Sequence, residues 1–276
     1  MTSSASALAA VQALLRTRNL DRTLTSVTPV ATPGEAPFAH AALDAAVRGG
    51  LPRGQVSEVV GPVSSGRTSL AWAALAAASH RGEWVALVDT FDRFDPVTAA
   101  ACGIDLPQLL WVRGQALSKT AAAVDPAWVP GRRAISGPGT LLERTVDRAL
   151  KSLNLIVQSG VCTLVVLDLV DVPATSLSRV PPATWLRIQR VVEGSDTAVV
   201  LLAAAPVARS AGGLSMVTGG GNREAGGRSM VVPAEGHRPL WKGTHDRSRR
   251  LGGLATRLRA TSPRGHVGAV SLAFEP

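Results

Sequence analysis

Tyrosine is absent from the 276-residue chain, and its aromatic side chains amount to six tryptophans and four phenylalanines. A surface that grips single-stranded nucleic acid by stacking bases on rings therefore has few platforms to draw on. Cysteine is nearly absent as well. Cys102 and Cys162 stand far apart without a paired spacing, which leaves a disulfide framework or a cysteine zinc site unsupported and predicts two buried thiols. The five histidines, His40, His80, His237, His245 and His266, show no i,i+4 spacing on a helix, and no G-x-S-x-G elbow occurs. Zinc-hydrolase and serine-hydrolase chemistry thus find no support. No run approaches the ~18 uninterrupted apolar residues of a membrane span. Residues 1–10 lack the basic start of a secretory signal, and Arg16, Arg18, Asp21 and Arg22 break any apolar stretch that follows, so a cytoplasmic protein without a membrane partner is expected.

Acidic residues are also in short supply, 20 against 29 Lys and Arg, and the imbalance is local. Residues 209–276 hold eleven basic residues and four acids, so this segment carries +7 of the net +9. A basic, glycine-rich segment is the electrostatic footprint of something that meets phosphate backbones or an acidic protein surface. A solvated linker would have the same composition. Arg238, Lys242, Arg247, Arg249, Arg250, Arg257 and Arg259 are the candidate contacts to DNA or to a partner protein.

What is present begins with residues 61–68, which almost spell the phosphate-binding loop G-x-x-x-x-G-K-[ST], with Arg67 at the lysine position. Glycines let backbone N–H groups curl around phosphate oxygens, and the following helix turns its positive end to them. Gly61, Ser64, Ser65, Gly66, Arg67 and Thr68 are therefore candidate nucleotide contacts. Arg67 keeps the charge but presents a planar fork in place of a compact ammonium, which suits holding an anion more than transferring a phosphoryl group. The flanks fit the motif, because residues 55–60 read as a strand and residues 69–79 as an alanine-rich helix with Trp72 and Leu75 facing a sheet. A ligand-free tight turn is the plainer alternative. Residues 161–168 form a second apolar strand ending in Asp168, which beside a phosphate loop would hold Mg²⁺ together with Thr68 if nucleotide binds, or would merely cap a turn.

Elements alternate along the chain. Apolar residues 8, 11, 14 and 15 predict a helix over residues 5–18, followed by a proline-containing linker. Strands are expected at 84–89, 109–112 and 197–203, and helices at 95–101 (Asp95 as cap, Pro96 in the first turn), 140–157 and 184–192. Such alternation implies right-handed βαβ units. Residues 206–253, rich in glycine, predict a mobile loop, while residues 254–261 and 266–274 alternate like the two strands of a hairpin. The organisation read from the chain is an N-terminal helix and linker (1–37), a core (38–205), a basic loop (206–253) and a hairpin tail (254–276).

Leu43-Asp44, Gly49-Gly50-Leu51-Pro52-Arg53-Gly54, Glu58 and the loop itself, then Asp95-Pro96, Gly103-Ile104-Asp105 and Leu109-Leu110, resemble the opening of the RecA recombinase core. The resemblance is detailed over residues 43–114 and extends by order of elements to about 205. It implies an α/β RecA-like P-loop core, with a central, mostly parallel sheet between helices and an N-terminal docking helix, to which the composition adds the basic tail with its hairpin. It also implies ATP and Mg²⁺ as the cofactors a working site would take. Three positions depart from it: Arg67, Phe91 where a recombinase has the glutamate that polarises water, and Ala205 where a glutamine senses the γ-phosphate. Asp92 is adjacent to Phe91 but does not replace that glutamate in an obvious way.

A RecA core without its motor residues resembles the ImuA family of translesion-synthesis accessory proteins, a likeness to which residues 185–190 (Trp-Leu-Arg-Ile-Gln-Arg) contribute. That resemblance implies a non-catalytic scaffold, nucleoid-associated and induced by DNA damage in the SOS response. Its implied partners are a Y-family polymerase-like protein and an error-prone replicative-type polymerase, with RecA and single-stranded DNA as further candidates. Two alternatives stay open: a DNA-dependent ATPase or filament protein with a modified loop, and a RecA-fold inhibitor.

Overall fold

The computed structural model describes residues 34–116, 141–208, 212–219, 237–242, 250–262 and 265–274, with side chains left aside at 237, 250–252 and 265–267. The helix expected at residues 5–18 lies outside them.

After a two-stranded ribbon, β1 (Glu35–Ala36) with β2 (Leu51–Pro52), and a short helix α1 (Ala41–Ala46) between its strands, the chain builds one sheet. Its parallel part uses β3 (Val56–Val60), β4 (Val85–Asp89), β5 (Leu109–Arg113), β6 (Leu164–Asp168), β7 (Ala198–Ala203) and β8 (Gly212–Thr218). Across the sheet these run β8-β3-β7-β6-β4-β5. Antiparallel β10 (Arg250–Ser262) and β11 (Gly265–Phe274) extend the β8 side, and β9 (His237–Lys242) pairs with the first half of β10. Helices α2 (Arg67–His80), α3 (Pro96–Ala101), α4 (Leu141–Ser159), α5 (Ala174–Leu177) and α6 (Pro182–Val192) make the crossovers.

The central strands are apolar on both faces because both faces are covered. Alternate residues divide between two cores: Val85, Leu87, Leu164, Val166, Val200 and Leu202 pack with α2, whereas Ala86, Val88, Val165, Leu167, Val199 and Leu201 pack with α4 and α6. α4 turns Leu142, Val146, Ala149, Leu153 and Ile156 inward, the three-and-four spacing that a sheet-facing helix requires. Asp95 caps α3 by accepting hydrogen bonds from the N–H groups of Val97 and Thr98, with Pro96 in the first turn. The closing hairpin forms, with Leu258 opposite Val270.

Two expectations need correction. Residues 206–253 are not one loop, since they contain β8 and β9. The glycine content misleads there because Gly213 answers a packing demand: a Cβ on it would stand 2.3 Å from the carbonyl oxygen of Val56 in the neighbouring strand. Cys102, expected to be buried, is exposed, because it ends the short α3, whose buried residue is Ala99; Cys162 is buried. Among the described residues no helix is long and apolar enough to cross a membrane.

Candidate functional site: a phosphate loop turned inward

The phosphate loop links β3 to α2, as its flanking patterns require. Ser64 (φ 60°) and Gly66 (φ 88°) both take left-handed backbone, the kind of turn that aims N–H groups into a nest. Arg67 opens α2, but its side chain is buried and donates to the carbonyl oxygen of Gly61. Burial lowers the pKa of its guanidinium, opposed by the nearby carboxylates of Asp168 and Asp171. A cation that would meet phosphate is thus spent on the loop's own backbone.

The loop is also tied down from the far end of the chain. Thr256 Oγ1 on β10 donates to the Ser65 carbonyl at 2.7 Å, and Ser65 Oγ lies 2.7 Å from Thr218 Oγ1 on β8. Thr218 in turn donates to Val60 O at 3.2 Å, so Ser65 is the donor between the two hydroxyls. A Cβ on Gly61 would sit 2.2 Å from Thr218 Oγ1, and one on Gly66 would press within 3.3 Å of Leu254, Thr256 and Phe274. Both glycines are therefore fixed by packing, and Gly66 also by its left-handed backbone. Ser65 and Arg67 are buried, and Ser64 is exposed.

On the acid side, Thr68 and Asp168 line one cavity of about 290 Å³ with Asp89, Phe91, Arg93 and Asp171. Burial pushes the Asp168 carboxyl up to about 6; the N–H of Val170 opposes this, while Asp89 and Asp171 reinforce it. Asp89 accepts from the N–H groups of Arg93 (2.9 Å) and Phe94 (2.8 Å) and from the Trp111 indole (3.3 Å). Phe91 is buried in the α4-side core. Asp92, with φ 58°, turns away and holds Arg113 in a two-point pair at 2.8 and 2.7 Å, the guanidinium lying 4.7 Å from the Trp111 ring centre. Asp92 is thereby engaged elsewhere. Ala205 follows β7 with no polar side-chain atom, and the carboxylate of Glu58 instead receives the N–H groups of Val207 and Ala208 and the hydroxyl of Ser215.

Thr68 and Asp168 share that cavity, but the phosphate side does not fit a nucleotide, because the loop's cation faces its own backbone.

Four of the basic candidates share one sheet face. Arg257 and Arg259 alternate with buried Thr256, Leu258 and Ala260, so they point away from the phosphate loop. Arg238 pairs opposite Ala255 and falls on the same face, as does Lys242 four residues on. All four are exposed, and the cross-strand neighbours of Arg257 and Arg259 on β11 are the small residues Ser271 and Ala269. Arg247 and Arg249 lie outside the described residues, and of Arg250 only the backbone is described. Thr218, Thr256 and Phe274 escaped sequence reasoning; alternation in β10 could have put Thr256 on an inward face but could not have said what it meets.

Comparison with known proteins agrees with this fold. A model of the RecA N-terminal domain matches residues 32–124. Protein RecA of Roseiflexus sp. (strain RS-1) is 37% identical over 140 residues, covering 43% of this chain and 39% of the relative. Protein RecA of Arthrospira platensis is 50% identical over 68 residues, 25% of this chain and 19% of the relative. Protein RecA of Trichodesmium erythraeum (strain IMS101) is 35% identical over 147 residues, 46% and 41% respectively. The chain thus spans about two fifths of the length of the longer matches among these curated relatives. Strand order, the βα phosphate loop and these matches together give the chain a RecA-like fold.

Proposed function

We propose that this chain is a RecA-fold accessory protein that has given up phosphoryl chemistry and works through contacts, as a scaffold in an error-prone translesion synthesis complex assembled after DNA damage. One observation carries the reading: Arg67 is buried against the carbonyl oxygen of Gly61 rather than held out toward a ligand. Phosphoryl transfer is almost wholly positioning and charge stabilisation, so a site whose cation is spent internally and whose water-polarising position holds Phe91 lacks both requirements. The partners are a Y-family polymerase-like protein and an error-prone replicative-type polymerase, with RecA and single-stranded DNA as further contacts.

A second reading, a DNA-dependent ATPase with a rebuilt site, is favoured by Thr68 and Asp168 facing one cavity. ATP turnover measured with and without single-stranded DNA separates the two. Background rates in both conditions are expected. Hydrolysis well above background that disappears in Asp168→Ala would establish the ATPase instead.

A further inference from the structure

The phosphate loop does not use the groove of about 640 Å³ between α4 and α6 on the other face of the sheet. Glu143, Val146, Leu150 and Asn154 line it from α4 at three- and four-residue steps, so one helical face looks into the groove for roughly 18 Å. Its floor is apolar, completed by Val180 and Ile188, and Leu155 stands 67% exposed at one end. The charges are unequal. Glu143 is held by Arg179 at 3.1 Å and Lys151 by Asp147 at 2.7 Å, whereas exposed Arg187 has no acidic partner among the described residues.

We infer that this groove docks an amphipathic helix of a partner protein, with apolar residues three and four apart on one side and Asp or Glu on the flank that meets Arg187. A three-turn apolar groove matches the anchor spacing of helix-in-groove recognition. The chain's own residues 5–18 are the wrong occupant on charge, since they carry Arg16 and Arg18 and no acid. This inference rests on the reading of the chain as a protein that works through contacts.

The test titrates the full chain with a labelled helical peptide of about 16 residues, with leucines at that spacing and glutamates on one flank, beside a twin bearing lysines instead. The acidic peptide is expected to bind about tenfold tighter than its twin, Arg187→Glu to reverse the preference, and Leu155→Glu to weaken both. Both substitutions change exposed side chains, and unchanged thermal unfolding verifies that the fold is kept. Equal binding of the two peptides, or an acidic-peptide affinity indifferent to Arg187→Glu, overturns the assignment. Self-association abolished by Leu155→Glu, or tighter peptide binding once residues 1–33 are removed, also overturns it, by giving the groove to a second copy or to the chain's own segment. ATP turnover on the same preparations bears on the accessory reading alone, so the two can fail separately.

Discussion

At Asp168 burial works against ionisation. Its folded pKa, about 6, lies above the ordinary 3.8, so stability is fully present below pH 3.8 and declines as pH rises through 6. The loss is at most about 3 kcal/mol. Asp168→Asn removes the charge, so the variant is expected to melt higher than the parent at pH 8 and to converge with it near pH 4, measured by thermal unfolding across that range. A variant less stable at pH 8 would mean that the carboxylate is held by something the cavity does not reveal. Glu83 behaves oppositely. Burial pushes its carboxyl up, but hydrogen bonds from Arg81, Thr163 and Arg53 outweigh that and bring it to about 2, so its contribution is present above 4.5 and fails only in strong acid. Arg67 and Phe91 were legible as departures in the sequence. That Arg67 turns to Gly61 and Asp92 to Arg113 was not, because each depends on a backbone turn with positive φ nearby, at Gly66 and at Asp92.

Among the elements, the strands ending in Asp89 and Asp168 and the capped helix after Asp95 could be read directly, since continuous apolar runs and an Asp-Pro start each have one economical structure. β8 could not. Its Gly212-Gly213 start has the composition of a loop, and only the neighbouring Val56 carbonyl explains the glycine. The tie between the phosphate loop and β10 is likewise invisible along the chain, but it has a measurable weight. Thr256→Val keeps the shape and removes the donor to Ser65, at an expected cost of about 1 kcal/mol. Gly66→Ala should cost more, because it adds left-handed strain to contacts already within 3.3 Å. Urea unfolding reads both. If neither variant shifts the midpoint, the hairpin does not support the loop.

For the molecule as a whole, part of the uneven charge gathers on one face of the antiparallel strands. The basic face of the antiparallel strands suits a phosphate backbone without base selectivity. Affinity for a single-stranded oligonucleotide should therefore fall steeply with salt, and the double change Arg257→Ala with Arg259→Ala should flatten the slope of log K against log salt by about 1.4. An unchanged slope would move the contact off this face. The bond from Thr256 to Ser65 joins positions 191 residues apart. During synthesis the phosphate loop and its helix emerge early, yet the loop can settle only after β10 has left the ribosome, which places this part of the domain among the last to fold. Until then the loop's Ser65 carbonyl and Gly66 lack their cover, so the nascent chain is open to proteases and chaperones at the position that the finished protein hides.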